Sequence, residues 1–106
     1  MKFVEIEYKV TKESHSTIDE IFDMFRYSRD SVIDIIDKNT WIMRRTIFYE
    51  DNAHLYRRLQ FFKKQVIVRW KSCGCDIEIV KCEEKIRSII ERIREKDIEL
   101  KQRSLI

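Results

Sequence analysis

A chain of 106 residues has the length of a single domain, spanning residues 1–106. With 43% hydrophobic and 39% charged residues, one glycine and no proline, it is neither disordered nor low in complexity, and it can bury a modest core without a staple. The 22 basic and 19 acidic residues leave a net charge of +3. No apolar run approaches the roughly 20 residues of a membrane-spanning helix, so no membrane partner is expected.

Residues 3–10 read as a strand. Alternation puts Glu5, Glu7 and Lys9 on one face and Val4, Ile6, Tyr8 and Val10 on the other. Two carboxylates about 7 Å apart suit a hard divalent cation, and a neighbouring lysine suits the phosphate that such a cation holds. In a chain this charged, the same pattern also describes a strand with one solvated face. Met1-Lys2 leads straight into this strand, so no secretory signal is expected. Three cysteines, an odd number, predict free thiols in a cytoplasmic protein.

Ser14 to Ser16 supply helix-start signals, with Ser16 as N-cap and Asp19 three residues on. Ile18, Ile21, Phe22, Phe25, Val32, Ile35 and Ile36 keep helical spacing to about residue 38, and Ser28-Arg29-Asp30-Ser31 marks a break between two helices. Residues 40–50 are rich in β-branched and aromatic types and predict a strand. Asp51-Asn52 is a turn or N-cap signal. Residues 53–63 fit a helix through Leu55, Leu59 and Phe62, or a strand through Leu55, Arg57, Leu59 and Phe61, and the strand is preferred. Residues 65–71 read as a strand, Ser72 to Cys75 as a turn on the only glycine, and residues 76–81 as the returning strand. From Glu83 onward Ile86, Ile89, Ile90 and Ile93 mark a long amphipathic helix. The expected fold is α+β: an antiparallel sheet of four or five strands covered by two long helical segments.

Arg44 to Lys71 holds eight basic residues (Arg44, Arg45, Arg57, Arg58, Lys63, Lys64, Arg69, Lys71) against only Glu50 and Asp51. Such a segment attracts polyanions. Trp41, Phe48, Tyr49, Tyr56, Phe61, Phe62 and Trp70 are interleaved with it. They would stack on single-stranded nucleic acid or fill the core, and a domain this small favours the core. Cys73, Cys75 and Cys82 with His54 or His15 offer zinc ligands, but structural zinc sites use two close cysteine pairs, so free or oxidised thiols and exposed loop histidines are the preferred reading.

Glu5-Ile6-Glu7-Tyr8-Lys9 is similar to the Glu-x-Glu-x-Lys signature that opens the CYTH, or triphosphate-tunnel metalloenzyme, superfamily. Gln65 to Lys71, Gly74, Asp76-Ile77-Glu78 and the helix after Glu83 resemble its closing segment. The resemblance implies that Glu5, Glu7, Asp76 and Glu78 hold Mg2+ or Mn2+, and that Lys9, Arg44, Arg45, Arg69 and Lys71 grip a triphosphate. The chain is much shorter than members of that family and has too few strands to close a tunnel alone, which a homodimer would remedy. Two other functions fit the sequence: a nucleic-acid-binding protein, and a protein–protein interaction module without chemistry, of the kind found among small viral or plasmid proteins.

Overall fold

A computed structural model of the chain describes residues 1–13 and 30–93. Four strands form one sheet: β1 (Lys2–Lys12), β2 (Ser31–Asp37), β3 (Thr40–Tyr49) and β4 (Cys75–Lys81), in the order β2-β3-β1-β4. Every neighbouring pair is antiparallel. It follows that β3 and β4 run parallel with β1 between them, and β1 and β2 run parallel with β3 between them. This interleaving of two split β-x-β units is the sheet topology of ferredoxin-like domains.

β1 forms as its alternation dictates. Val4, Ile6, Tyr8 and Val10 are buried, while Glu5 is exposed and Glu7 and Lys9 are half-buried on the opposite face. β3 adds Trp41, Met43 and Ile47 to the inner face. The β2–β3 hairpin turns at Lys38-Asn39, where the Asp37 carboxylate accepts the backbone N–H of Asn39 at 2.8 Å. The helix expected to run to residue 38 is corrected here: residues 31–37 are a strand. The remainder of that expected helix, including its Ser16 cap, lies outside the described residues.

The strand readings of 53–63 and 65–71 are also corrected. Helix α1 (Asn52–Phe62) passes without a break through a π-helical stretch (Lys63–Val68) into a final α-turn, α2 (Arg69–Ser72), giving 21 continuous helical residues. Asp51 caps the start, its carboxylate accepting the His54 N–H at 2.8 Å. His54 therefore belongs to the first helical turn, not to a loop, and its Nδ1 accepts the Glu50 N–H at 3.0 Å. Leu55, Leu59 and Phe62 follow the α period into the core, and the wider π turn brings Val66, Ile67 and Trp70 in behind them. The helix ends at Gly74, the one described residue of positive φ (82°), which lets the chain reverse into β4.

After β4, α3 (Glu84–Arg92) packs Ile86 and Ile90 into the same core, with Ile93 just beyond it and Ile89 half-buried. The Lys63 ammonium donates to the Ile90 carbonyl at 3.2 Å and to that of Ile93, closing the C-terminal end of α3 onto the start of the π-helical stretch. The two expected long helical segments are thus one long helix and one short one among the described residues, both on the inner face of the sheet.

Candidate functional site

The sheet face opposite the helices carries most of the residues that the sequence singles out. Cross-strand register sets Phe3 beside Phe48, Glu5 beside Thr46, Glu7 beside Arg44, Lys9 beside Glu78 and Thr11 beside Asp76. Six candidates (Glu5, Glu7, Lys9, Arg44, Asp76 and Glu78) therefore share one face. Two of the contacts are ion pairs: Arg44 donates to Glu7 Oε1 from Nη2 at 2.8 Å and from Nε at 3.2 Å, and Lys9 Nζ lies 3.0 Å from Glu78. The hydrogen bond to Glu7 holds the Arg44 guanidinium above its ordinary pKa. The carboxylates are spread along this ladder and do not converge. Among the described residues, no three of His, Cys, Asp or Glu are gathered closely enough to hold a metal ion.

The other three phosphate-binding candidates lie elsewhere. Arg69 and Lys71 are exposed at the end of the long helix, on the other side of the sheet. Arg45 points to the inner face, in step with Trp41, Met43 and Ile47. Its Nε donates to Asp30, and its guanidinium stands 5.7 Å from the centre of the Phe62 ring. The Asp30 side chain is wholly shielded from solvent and also accepts the hydroxyl proton of Tyr8. Burial, followed by the adjacent carboxylate, holds the Tyr8 hydroxyl far above the usual phenol range, so it remains a donor. The ring is fixed edge-on to Phe62 at 5.9 Å. Sequence reasoning missed Asp30 by placing it in a helix break. The readable signal was an arginine at an inward-facing strand position, because a charge there demands a buried partner.

The aromatic residues divide between the two sequence readings. Trp41, Phe62 and Trp70 are core, and the two tryptophans meet edge-on at 5.8 Å. Phe48, Tyr56 and Phe61 are exposed, and Phe48 has its ring 6.1 Å from that of Phe3. Cys73, Cys75 and Cys82 form no disulfide among the described residues, and burial raises the pKa of Cys82.

β2 is the least expected feature. Among the described residues it is an edge strand, paired only with β3, and all seven of its residues are exposed. Val32, Ile33, Ile35 and Ile36 all face solvent, with Ile35 72% exposed. The opposite edge, β4, exposes Asp76, Glu78 and Lys81 together with a single aliphatic residue, Val80.

No described helix is long and apolar enough to cross a membrane. The chain matches no protein-family model, no curated protein and no solved structure.

Proposed function

We propose that this protein is a non-enzymatic interaction module that receives an extended segment of another protein along β2. The observation that supports this is the exposure of four aliphatic side chains on a strand edge that no described strand pairs with. Such an edge presents a free row of N–H and C=O groups, and monomeric proteins ordinarily blunt it with charge, as β4 does here. Main-chain pairing supplies affinity in this mode, and side-chain contacts supply specificity. The charge on β2 favours a partner other than a second copy. In antiparallel pairing of two β2 strands, the register that sets Val32 against Ile36 and Ile33 against Ile35 also sets Asp34 against Asp34, and like charges directly opposed are destabilising. A segment alternating apolar residues with lysine or arginine satisfies both features.

A capped synthetic peptide alternating valine with lysine tests this, with valine–glutamate as its counterpart. The expected result is binding of the lysine peptide, with amide NMR shifts centred on residues 31–37, and loss of binding in Ile35→Lys and Asp34→Lys. Shifts centred elsewhere, or equal binding of both peptides, would overturn the reading. Concentration-dependent dimerisation lost in Ile35→Lys would replace the foreign segment with a second copy.

A second reading rests on the six candidates that share the open face. In it, Glu5, Glu7, Asp76 and Glu78 take Mg2+ or Mn2+, and Lys9 and Arg44 take the phosphates of a triphosphate, as the likeness to the CYTH superfamily implies. Its support is that shared face, and metal-dependent binding of tripolyphosphate tests it.

A further inference from the structure

We infer that the solvent face of the helix spanning residues 52–72 binds single-stranded nucleic acid, on a surface separate from β2. Those residues include Arg57, Arg58, Lys63, Lys64, Arg69 and Lys71 and no acidic residue. The segment is +6 while the whole chain is +3, so the remainder is −3. The net positive charge of this protein thus comes from this one element. Lys63 is turned inward to the carbonyls of Ile90 and Ile93. Arg57, Arg58 and Arg69 are exposed and Lys64 is half-exposed, and none of these four has an acidic partner among the described residues. Arginine forks match phosphate oxygens, and they need no titration to stay charged.

The spacing selects an extended polyanion over a compact one. From Arg57 to Lys71 the helix rises roughly 20 Å, a distance along which one nucleic-acid strand in duplex geometry presents about six phosphates. Exposed aromatics select unpaired bases over a duplex. Phe61 is 56% exposed and lies one turn from Arg57, and Tyr56 is 43% exposed beside it. An exposed ring between arginines is a stacking platform for a base whose face is free, and a duplex hides those faces. Tyr56 also lines a groove of about 490 Å3 between α1 and α3, together with Asn52, Lys85, Ser88 and Arg92, which extends the cationic surface onto the next helix. An anionic membrane fits less well. The apolar stripe of this helix (Leu55, Leu59, Phe62, Val66, Ile67, Trp70) is spent on the core, leaving no face to embed.

Fluorescence anisotropy of a labelled oligothymidylate with the full chain tests the inference. Affinity is expected to fall with salt on a log–log line of slope about −0.7 per phosphate contacted. Substituting Arg57→Gln, Arg58→Gln, Lys64→Gln and Arg69→Gln together should remove most of that slope and lower affinity at low salt at least tenfold, with the thermal midpoint little changed. Phe61→Ala, a surface change that keeps the fold, should weaken the oligonucleotide about tenfold and leave the slope intact. No binding at low salt, or tighter binding of a duplex of equal length with no effect of Phe61→Ala, would overturn it. So would phosphatidylserine vesicles binding as well as the oligonucleotide with the same loss in the quadruple variant.

Discussion

Asp30 and Arg45 form an ion pair on the core side of the sheet, where the carboxylate has no solvent exposure and the guanidinium side chain keeps only 17%. Tyr8 donates to the same carboxylate. Three strands are joined by this contact: β1 through Tyr8, β3 through Arg45, and the start of β2 through Asp30. Removing one member of such a pair strands the other charge in a desolvated site. Asp30→Ala is therefore expected to cost about 3–5 kcal/mol in urea unfolding. The double change Asp30→Leu with Arg45→Met should cost much less than the two single changes together, because it leaves no orphaned charge. Additive losses would mean that the two residues do not act as a pair.

Tyr8 gives the pH counterpart. Its folded-state pKa lies above that of the unfolded chain, so its contribution is fully present below the ordinary phenol value of about 10 and is lost as pH rises past it. The unfolding midpoint should drop in that alkaline range, and Tyr8→Phe should drop less steeply there while being less stable at neutral pH. Titration of tyrosinate absorbance, compared between the wild type and Tyr8→Phe, should show Tyr8 ionising only on unfolding. Ionisation of Tyr8 in the folded protein would place it outside the core.

The elements legible in the sequence were those with an unmixed period. β1 alternates strictly, α3 repeats isoleucine at helical spacing, and Gly74 is the one residue free to take positive φ. β2 was misread because its pairing with β3 slips twice, after Val32 and after Ile35, so Val32, Ile35 and Ile36 mimic the spacing of a helix. The β-branched run Val32, Ile33, Ile35, Ile36 was the signal that should have outweighed it. The long helix was misread for the opposite reason. Val66-Ile67-Val68 has strand composition, and in the structure neighbours Val66 and Ile67 both face the core from the π-helical stretch. Of the nine candidate site residues, the six on β1, β4 and the outward positions of β3 share a face as alternation requires. Arg69 and Lys71 followed the misread helix, and Arg45 differs from Arg44 by one position, which in a strand is the opposite face.

The core of α3 gives a direct test of packing. Ile90 is 3% exposed and lies against the long helix and the sheet. Ile90→Ala should cost about 2–5 kcal/mol, through lost burial and the cavity left behind. Lys63→Met keeps the stem but removes the donor to the Ile90 and Ile93 carbonyls, and should cost about 1 kcal/mol or somewhat more. A loss below about half a kcal/mol for Ile90→Ala would place α3 off the core.

The open face separates a charged ladder from a ligand site by its response to metal. If it holds a triphosphate through Mg2+ or Mn2+, tripolyphosphate should bind more tightly with the metal than without it. The ion would have to draw Glu78 from Lys9, a pair exposed enough to be weakly held, and Glu7 from Arg44, which holds that half-buried carboxylate with two hydrogen bonds. Glu5→Gln with Glu7→Gln should then abolish the metal dependence, since both changes remove oxygen charge without changing shape. If the ladder only solvates one side of the sheet, metal will leave tripolyphosphate affinity unchanged apart from screening. In that case the two substitutions will leave binding the same or improve it, because they remove negative charge beside Arg44 and Lys9. Calorimetric titration of the wild type and the double variant, with and without Mg2+, distinguishes the two outcomes. A metal-independent isotherm in the wild type would sink the triphosphate reading while leaving the β2 edge and the basic helix to their own tests.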